Sequence, residues 1–185
     1  MDIFTAFGLS ASAGLNAYIP LLVVSLVTRF TDLIELRSPW DNLESWWVIG
    51  VLIALSLVEF FADKIPAVNH VNDIIQTFIR PAAGAIVFAA SATVADVHPV
   101  LAMAAGLLIA GSVHAVKSIA VRPAVTATTG GAGNIPVSIL EDIVSTALSI
   151  LAIIIPVLIA AVVILVTAWI IWWVCRRANR KRSEA

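Results

Sequence analysis

The chain has 185 residues, of which 61% are hydrophobic and 12% charged, and its formal net charge is −1. Soluble domains run about 45–50% apolar and about 25% charged, so an ordinary globular, disordered or fibrous chain is excluded, as is bulk nucleic-acid binding by a chain of near-zero charge. With a mean hydropathy of +1.02, the natural class is an all-α polytopic membrane protein in contact with the lipid bilayer.

A helix that crosses a bilayer takes about 20 apolar residues. The first charge-free stretch, Ile3 to Thr28, contains Gly8, Gly14, Asn16 and Pro20, which predict a broken or re-entrant helix. The second stretch runs from Trp46 to Ala62 and carries Glu59 inside it. Beyond Lys64 and Pro66, residues 67–79 set Val68, Val71, Ile75 and Phe78 on one helical face and Asn69, Asp73, Gln76 and Arg80 on the other. That pattern predicts an amphipathic helix lying at the interface. A third crossing follows over Pro81–Val97 and a fourth over Pro99–Ala115. The last charge-free stretch is Ile143 to Cys175, about 50 Å long if straight. Ser138 and Glu141 ahead of it match a capping box, and Asp142 suits the first turn of a helix. The count is about five transmembrane helices in a single domain, residues 1–175, followed by a basic tail, 176–185. Cys175 is the only cysteine, which excludes an intrachain disulfide. The start lacks the basic region of a signal peptide.

The tail carries Arg176, Arg177, Arg180, Lys181 and Arg182, so the positive-inside rule makes the C-terminus cytoplasmic. Alternation then puts the loop with Arg29 and Arg37 on the same side. Independently of orientation, Ala62–Arg80 and His114–Asp142 are separated by two crossings and must share one side. Most of the remaining charge therefore converges there. Its members are Glu59, Asp63, Lys64, His70, Asp73, Arg80, His114, Lys117, Arg122, Glu141 and Asp142. Glu59 stands out, because an acid at membrane depth needs a partner or a water-filled cavity.

The stretch Gly130-Gly131-Ala132-Gly133-Asn134 lacks the P-loop pattern, but glycine lets backbone amides approach an anion, and a helix N-terminus follows. A flexible connector is the plainer alternative. A weak internal echo links Ser12-Ala-Gly14-Leu-Asn16-Ala-Tyr-Ile-Pro20 with Gly131-Ala-Gly133-Asn134-Ile-Pro136, as in transporters built from repeats with binding sites at paired helix breaks. The acids and histidines supply metal-ligand types without a metal-site spacing such as H-E-x-x-H, so no metal is assigned and no cofactor is implied.

Gly14–Pro20, Glu59-Phe-Phe-Ala-Asp-Lys-Ile-Pro66, Arg80-Pro-Ala-Ala-Gly84 and His114-Ala-Val-Lys117 resemble a family of small bacterial integral membrane proteins. So do Arg122, the glycine-rich loop and Ser138 with Glu141-Asp142. The family is catalogued as a domain of unknown function, number 4126. The resemblance covers nearly the whole chain except the basic tail. It implies a compact helical protein of the bacterial inner membrane and no particular activity.

The leading expectation is a small transporter or channel for an ion or small anionic solute. Its site would lie where the breaks at Asn16 and Gly130–Asn134 meet the charged cluster. A homo-oligomer would pack through Gly84, Gly106 and Gly111. The alternatives are a membrane enzyme acting on a lipid-linked phosphate head group through His114 or His70, and a non-catalytic subunit of a membrane complex.

Overall fold

The structure is a computed structural model. It describes residues 3–92 and 97–156, apart from the side chains of residues 66, 67, 69 and 70. The basic tail, Trp169–Trp173, Cys175 and the His70 side chain lie outside the described residues. Among the described residues seven α-helices follow one another: α1 Ile3–Leu15, α2 Tyr18–Phe30, α3 Trp46–Ala62, α4 Pro66–Ser91, α5 Pro99–Val116, α6 Arg122–Thr129 and α7 Asn134–Pro156. A 3₁₀ turn covers Trp40–Glu44, and a π turn, Lys117–Val121, joins α5 to α6. No strand occurs among the described residues.

The starts of the helices follow from local chemistry. The Ser45 hydroxyl accepts the Val48 N–H at 3.3 Å and caps α3. The His98 ring accepts the Val100 N–H at 3.3 Å and precedes Pro99 at the first position of α5. At the α1–α2 break, the Asn16 N–H still donates to the Ser12 carbonyl. The Asn16 side-chain oxygen accepts the N–H groups of Tyr18 and Ile19, both at 3.1 Å. Asn16 thus ends one helix and caps the next, as the sequence predicts for a broken first segment.

Two ends of the bundle can be told apart. At one, Ala6 of α1, Phe88 and Ala89 of α4, Ala102 of α5 and Trp40 form an apolar cluster. Arg29 stacks over Trp46 at 5.1 Å from the ring centre, and Phe30 meets the same ring edge-on. At the other end lie the α1–α2 break, the C-terminal turns of α3 and α5, and the start of α7. Both α1 and α2 therefore run between the Trp-bearing end and the break.

Helix α7 is laid along α1 in the opposite direction. Asn16 bonds Asp142, the Ser12 hydroxyl meets those of Ser145 and Ser149 at 2.8 and 2.7 Å, and Thr5 donates to the Ala152 carbonyl at 2.9 Å. On α7 these partners recur at three- and four-residue spacing, which is one helical face.

Three helices, Val71–Ser91, Pro99–Thr129 and Asn134–Pro156, are long and apolar enough to cross a membrane. At 17 residues α3 is shorter. Many large apolar side chains face outward, among them Phe78, Leu108, Ile119 and Leu140, as a surface in contact with lipid requires.

Three expectations change. Residues 67–79 do not form a separate interfacial helix; they are the first half of α4, which continues through Pro81 to Ser91. Their polar face is turned inward, where Gln76 and Arg80 are buried. Pro81 removes one backbone hydrogen bond but does not end the helix. Ser138 and Glu141 do not cap the last helix, because it begins at Asn134, and both sit on its inner face. Gly84, Gly106 and Gly111 pack within the chain. A side chain on Gly84 would strike Ala110 and come within 2.8 Å of the Gly106 carbonyl oxygen, and Gly111 faces Pro81. Close approach of α4 and α5 takes up Gly84 and Gly106.

Candidate functional site

The segments Ala62–Arg80 and His114–Asp142 meet in direct contact. Arg80, at 0% side-chain exposure, donates to Glu59, at 1%, over 2.8 Å, and its other near carboxylate is Asp63 at 3.9 Å. Arg122 reaches three carboxylates: Asp63 at 3.2 Å, Glu141 at 3.1 Å and Asp73 at 3.4 Å. Lys117 pairs with Glu141 at 2.8 Å and also donates to the Leu15 carbonyl at 3.1 Å. Lys64 pairs with Asp142 at 3.4 Å, and the Asn16 amide donates to the same carboxylate at 3.0 Å. Asp63 further accepts from Asn72 at 2.8 Å and from the Ser138 hydroxyl at 3.1 Å. Four carboxylates, Glu59, Asp63, Asp73 and Glu141, and three cations, Arg80, Lys117 and Arg122, thus form one network, and Lys64–Asp142 is a separate pair tied to Asn16. With His114 neutral its sum is −1.

His114 is held in one tautomer. Arg80 approaches Nδ1 at 3.3 Å and has only protons to offer, so Nδ1 accepts. Nε2 then carries the hydrogen and donates to the Thr77 hydroxyl at 3.2 Å, and Thr77 donates to the Asp73 carbonyl at 2.9 Å. A second proton on the ring would face the Arg80 N–H.

Burial of Asp63, in the turn after α3, pushes its carboxyl up. Lys117, Arg122, Arg80 and the Asn72 amide oppose this, and the net effect holds it below the ordinary 3.8. Glu59 keeps its second oxygen, Oε2, buried and without a hydrogen-bond partner among the described residues; Arg80 Nε and Asp73 Oδ1 stand likewise.

The network draws in Glu59, Asp63, Asp73, Arg80, His114, Lys117, Arg122 and Glu141, and the adjoining pair holds Lys64, Asp142 and Asn16. It does not draw in the glycine-rich loop. Gly130 and Gly131 have φ of 62° and 92°, and no atom lies within 4 Å of where their side chains would begin. The amides of Ala132 and Asn134 close the turn onto Thr129 and Gly131, and that of Gly133 donates to the Thr129 hydroxyl. Asn134 bonds Thr126 at 2.9 Å. These three amides are spent on the turn. Among the described residues no three His, Cys, Asp or Glu stand together as a metal-binding set.

Thr77 and Asn72 were not singled out from the sequence. Thr77 lies four residues after Asp73 and three before Arg80, so helical spacing alone places it on their face. Asn72 reaches Asp63 from a neighbouring face, and no spacing signals it.

A groove of about 520 Å³ opens beside the network between α5 and α7. Its walls are apolar, including Leu15, Val116, Leu140 and Val144, and its two charged lining residues are Lys117 and Glu141.

A family model described as "Domain of unknown function (DUF4126)" matches residues 3–177. The comparison with curated proteins and that with solved structures yield no match.

Proposed function

We propose that this chain, which belongs to the family described as a domain of unknown function (DUF4126), is a small integral membrane transporter or channel for a monovalent ion, with the buried charge network as its site. In this reading α3, α4, α5 and α7 cross the bilayer, α1 and α2 form a re-entrant pair with Asn16 at its tip, and the membrane is the bacterial inner membrane. From Ser91 at one end of α4, Arg80 lies about 16 Å along the axis, near mid-depth of a core about 30 Å thick.

The observation that carries the reading is a network of net charge −1 with a fully buried carboxylate, Glu59, whose Oε2 lacks a partner among the described residues. Ionisable groups at membrane depth are costly and mark ion and proton pathways. Each cation of the network already touches a carboxylate, so a small anion would have to displace an acid, whereas a proton or cation adds to an excess of negative charge. That favours cation or proton over the anionic solute. For the enzyme alternative, both ring nitrogens of His114 are engaged and neither is left for a substrate, which leaves His70, whose side chain lies outside the described residues, as its acid or base.

The test is flux of protons, sodium and potassium into liposomes holding the purified protein. Glu59→Gln should abolish flux while leaving the protein folded, since Arg80 keeps Asp63 at 3.9 Å. Flux that persists in this variant, or its absence from the folded native protein, refutes the reading. Recovery of a stoichiometric partner together with absent flux would favour the accessory-subunit alternative.

A further inference from the structure

The π turn at Lys117–Val121 decides where Arg122 points. Its wide turn is closed by the Arg122 N–H donating to the Lys117 carbonyl, five residues back. In an α-helix, residues five apart diverge by about 140°. The π turn brings the fifth residue back over the first, so Lys117 and Arg122 both reach the carboxylates, at 3% and 6% residual exposure.

Past Arg122, α6 is tied to the turn that follows it, where Asn134 bonds Thr126 and the Gly133 N–H donates to Thr129, both at 2.9 Å. It is eight residues long and mostly exposed, and at its far end it runs into Gly130 and Gly131, both at positive φ. A side chain is strained at such φ, and glycine is not. The helix is therefore a short segment with a pliable turn at each end. Three carboxylate contacts of Arg122 hold it in register.

We propose that Lys117–Val121 is a register switch that moves Arg122 into and out of the Asp63–Asp73–Glu141 set, with a monovalent cation as the competing occupant. The proposal rests on the ion-transport reading for its purpose but not for its geometry. Return of the turn to α register rotates everything beyond it by about 100° and carries the guanidinium away from the acids. Three carboxylates are then left with Lys117 beside Glu141 and Arg80 at 3.9 Å from Asp63, in a network where Glu59 Oε2 is already buried without a hydrogen-bond partner among the described residues. A cation binds that arrangement better than the one Arg122 fills, and only such a difference shifts the balance. The glycines that the sequence offers as an anion cradle act instead as the far hinge.

The experiment reads the distance between spin labels on Thr128→Cys in α6 and Leu57→Cys in α3, in the full chain with Cys175→Ser. Two distances are expected, the second growing as sodium chloride or millimolar guanidinium chloride replaces choline chloride at constant ionic strength. Deleting Ala120 leaves Arg122 four residues after Lys117, about 40° away on an ordinary α-helix. This variant should keep the ion pairs, melt no lower than the parent and show one distance at every cation concentration. Arg122→Gln should show the second distance in choline alone. A single, cation-insensitive distance in both the parent and Arg122→Gln overturns the switch, as do two distances after the deletion. A cation-dependent distance without flux would refute the transport reading and uphold the switch.

Discussion

At the residue scale the decisive pair is Arg80–Glu59. Both side chains are withdrawn from solvent, and each leaves a polar atom without a partner among the described residues. Removing one partner of such a pair leaves an uncompensated buried charge, at a cost of about 3–5 kcal/mol. Arg80→Met should therefore lower stability by about that much in detergent-solubilised denaturation. The double variant Arg80→Met/Glu59→Leu should recover most of it, because an apolar pair of similar volume avoids both desolvation costs. A double variant no more stable than the single one would contradict this. Asp63 gives a pH dependence of definite sign. Its folded pKa lies below the ordinary 3.8, so the stability it lends is complete above that value and declines as the pH falls from 3.8 through the folded value. Asp63→Asn should remove this acid-side decline. The melting temperature of each protein between neutral pH and pH 3 checks it.

At the element scale the small residues do the fitting. On Gly106 a side chain would fall 2.6 Å from the Phe88 Cβ, and on Gly14 it would fall 2.6 Å from the Ala110 carbonyl oxygen. Gly106→Ala should force α4 and α5 apart and cost about 1–3 kcal/mol. Gly50, on the outer face of α3 with nothing within 4 Å, is a control, and Gly50→Ala should be neutral or stabilising by up to about 1 kcal/mol. Equal melting temperatures for the two variants would show that the α4–α5 contact is not limiting.

What could be read from the sequence follows the same division. The break at Asn16 was legible, because Gly14, Asn16 and Pro20 are local signals. The meeting of Ala62–Arg80 with His114–Asp142 was legible by counting crossings. The start of α7 was not: Ser138 and Glu141 carry a capping-box pattern, but Asp63, Lys117 and Arg122 claim them as interior partners. The interfacial helix was misplaced because its polar face suits water and a buried ion network equally well. Nor does any residue pattern announce the π turn, since one extra residue in a helical turn leaves the composition unchanged. Pairings of the network became visible only once that turn and the inward roll of α4 were known.

At the scale of the whole molecule the bundle is polarised. Among the described residues Trp40, Trp46 and Arg29 gather at one end and the ion network lies toward the other, with α3, α4, α5 and α7 running between them. If these helices span the bilayer, the loop after α2 and the turn after α6 lie on opposite sides of it. Arg29 and Arg37 would then place the former in the cytoplasm by the positive-inside rule. Single cysteines at Asp32 and at Thr128, in a Cys175→Ser background, report this with a membrane-impermeant maleimide. Thr128→Cys should label in intact cells, and Asp32→Cys only after the membrane is opened. Labelling of both from the same side would rule out a spanning bundle of this polarity. A reversed pattern would keep the bundle and invert its orientation, so that the carboxylate network would load from the cytoplasm and its cation would meet Arg122 from the inner rather than the outer face.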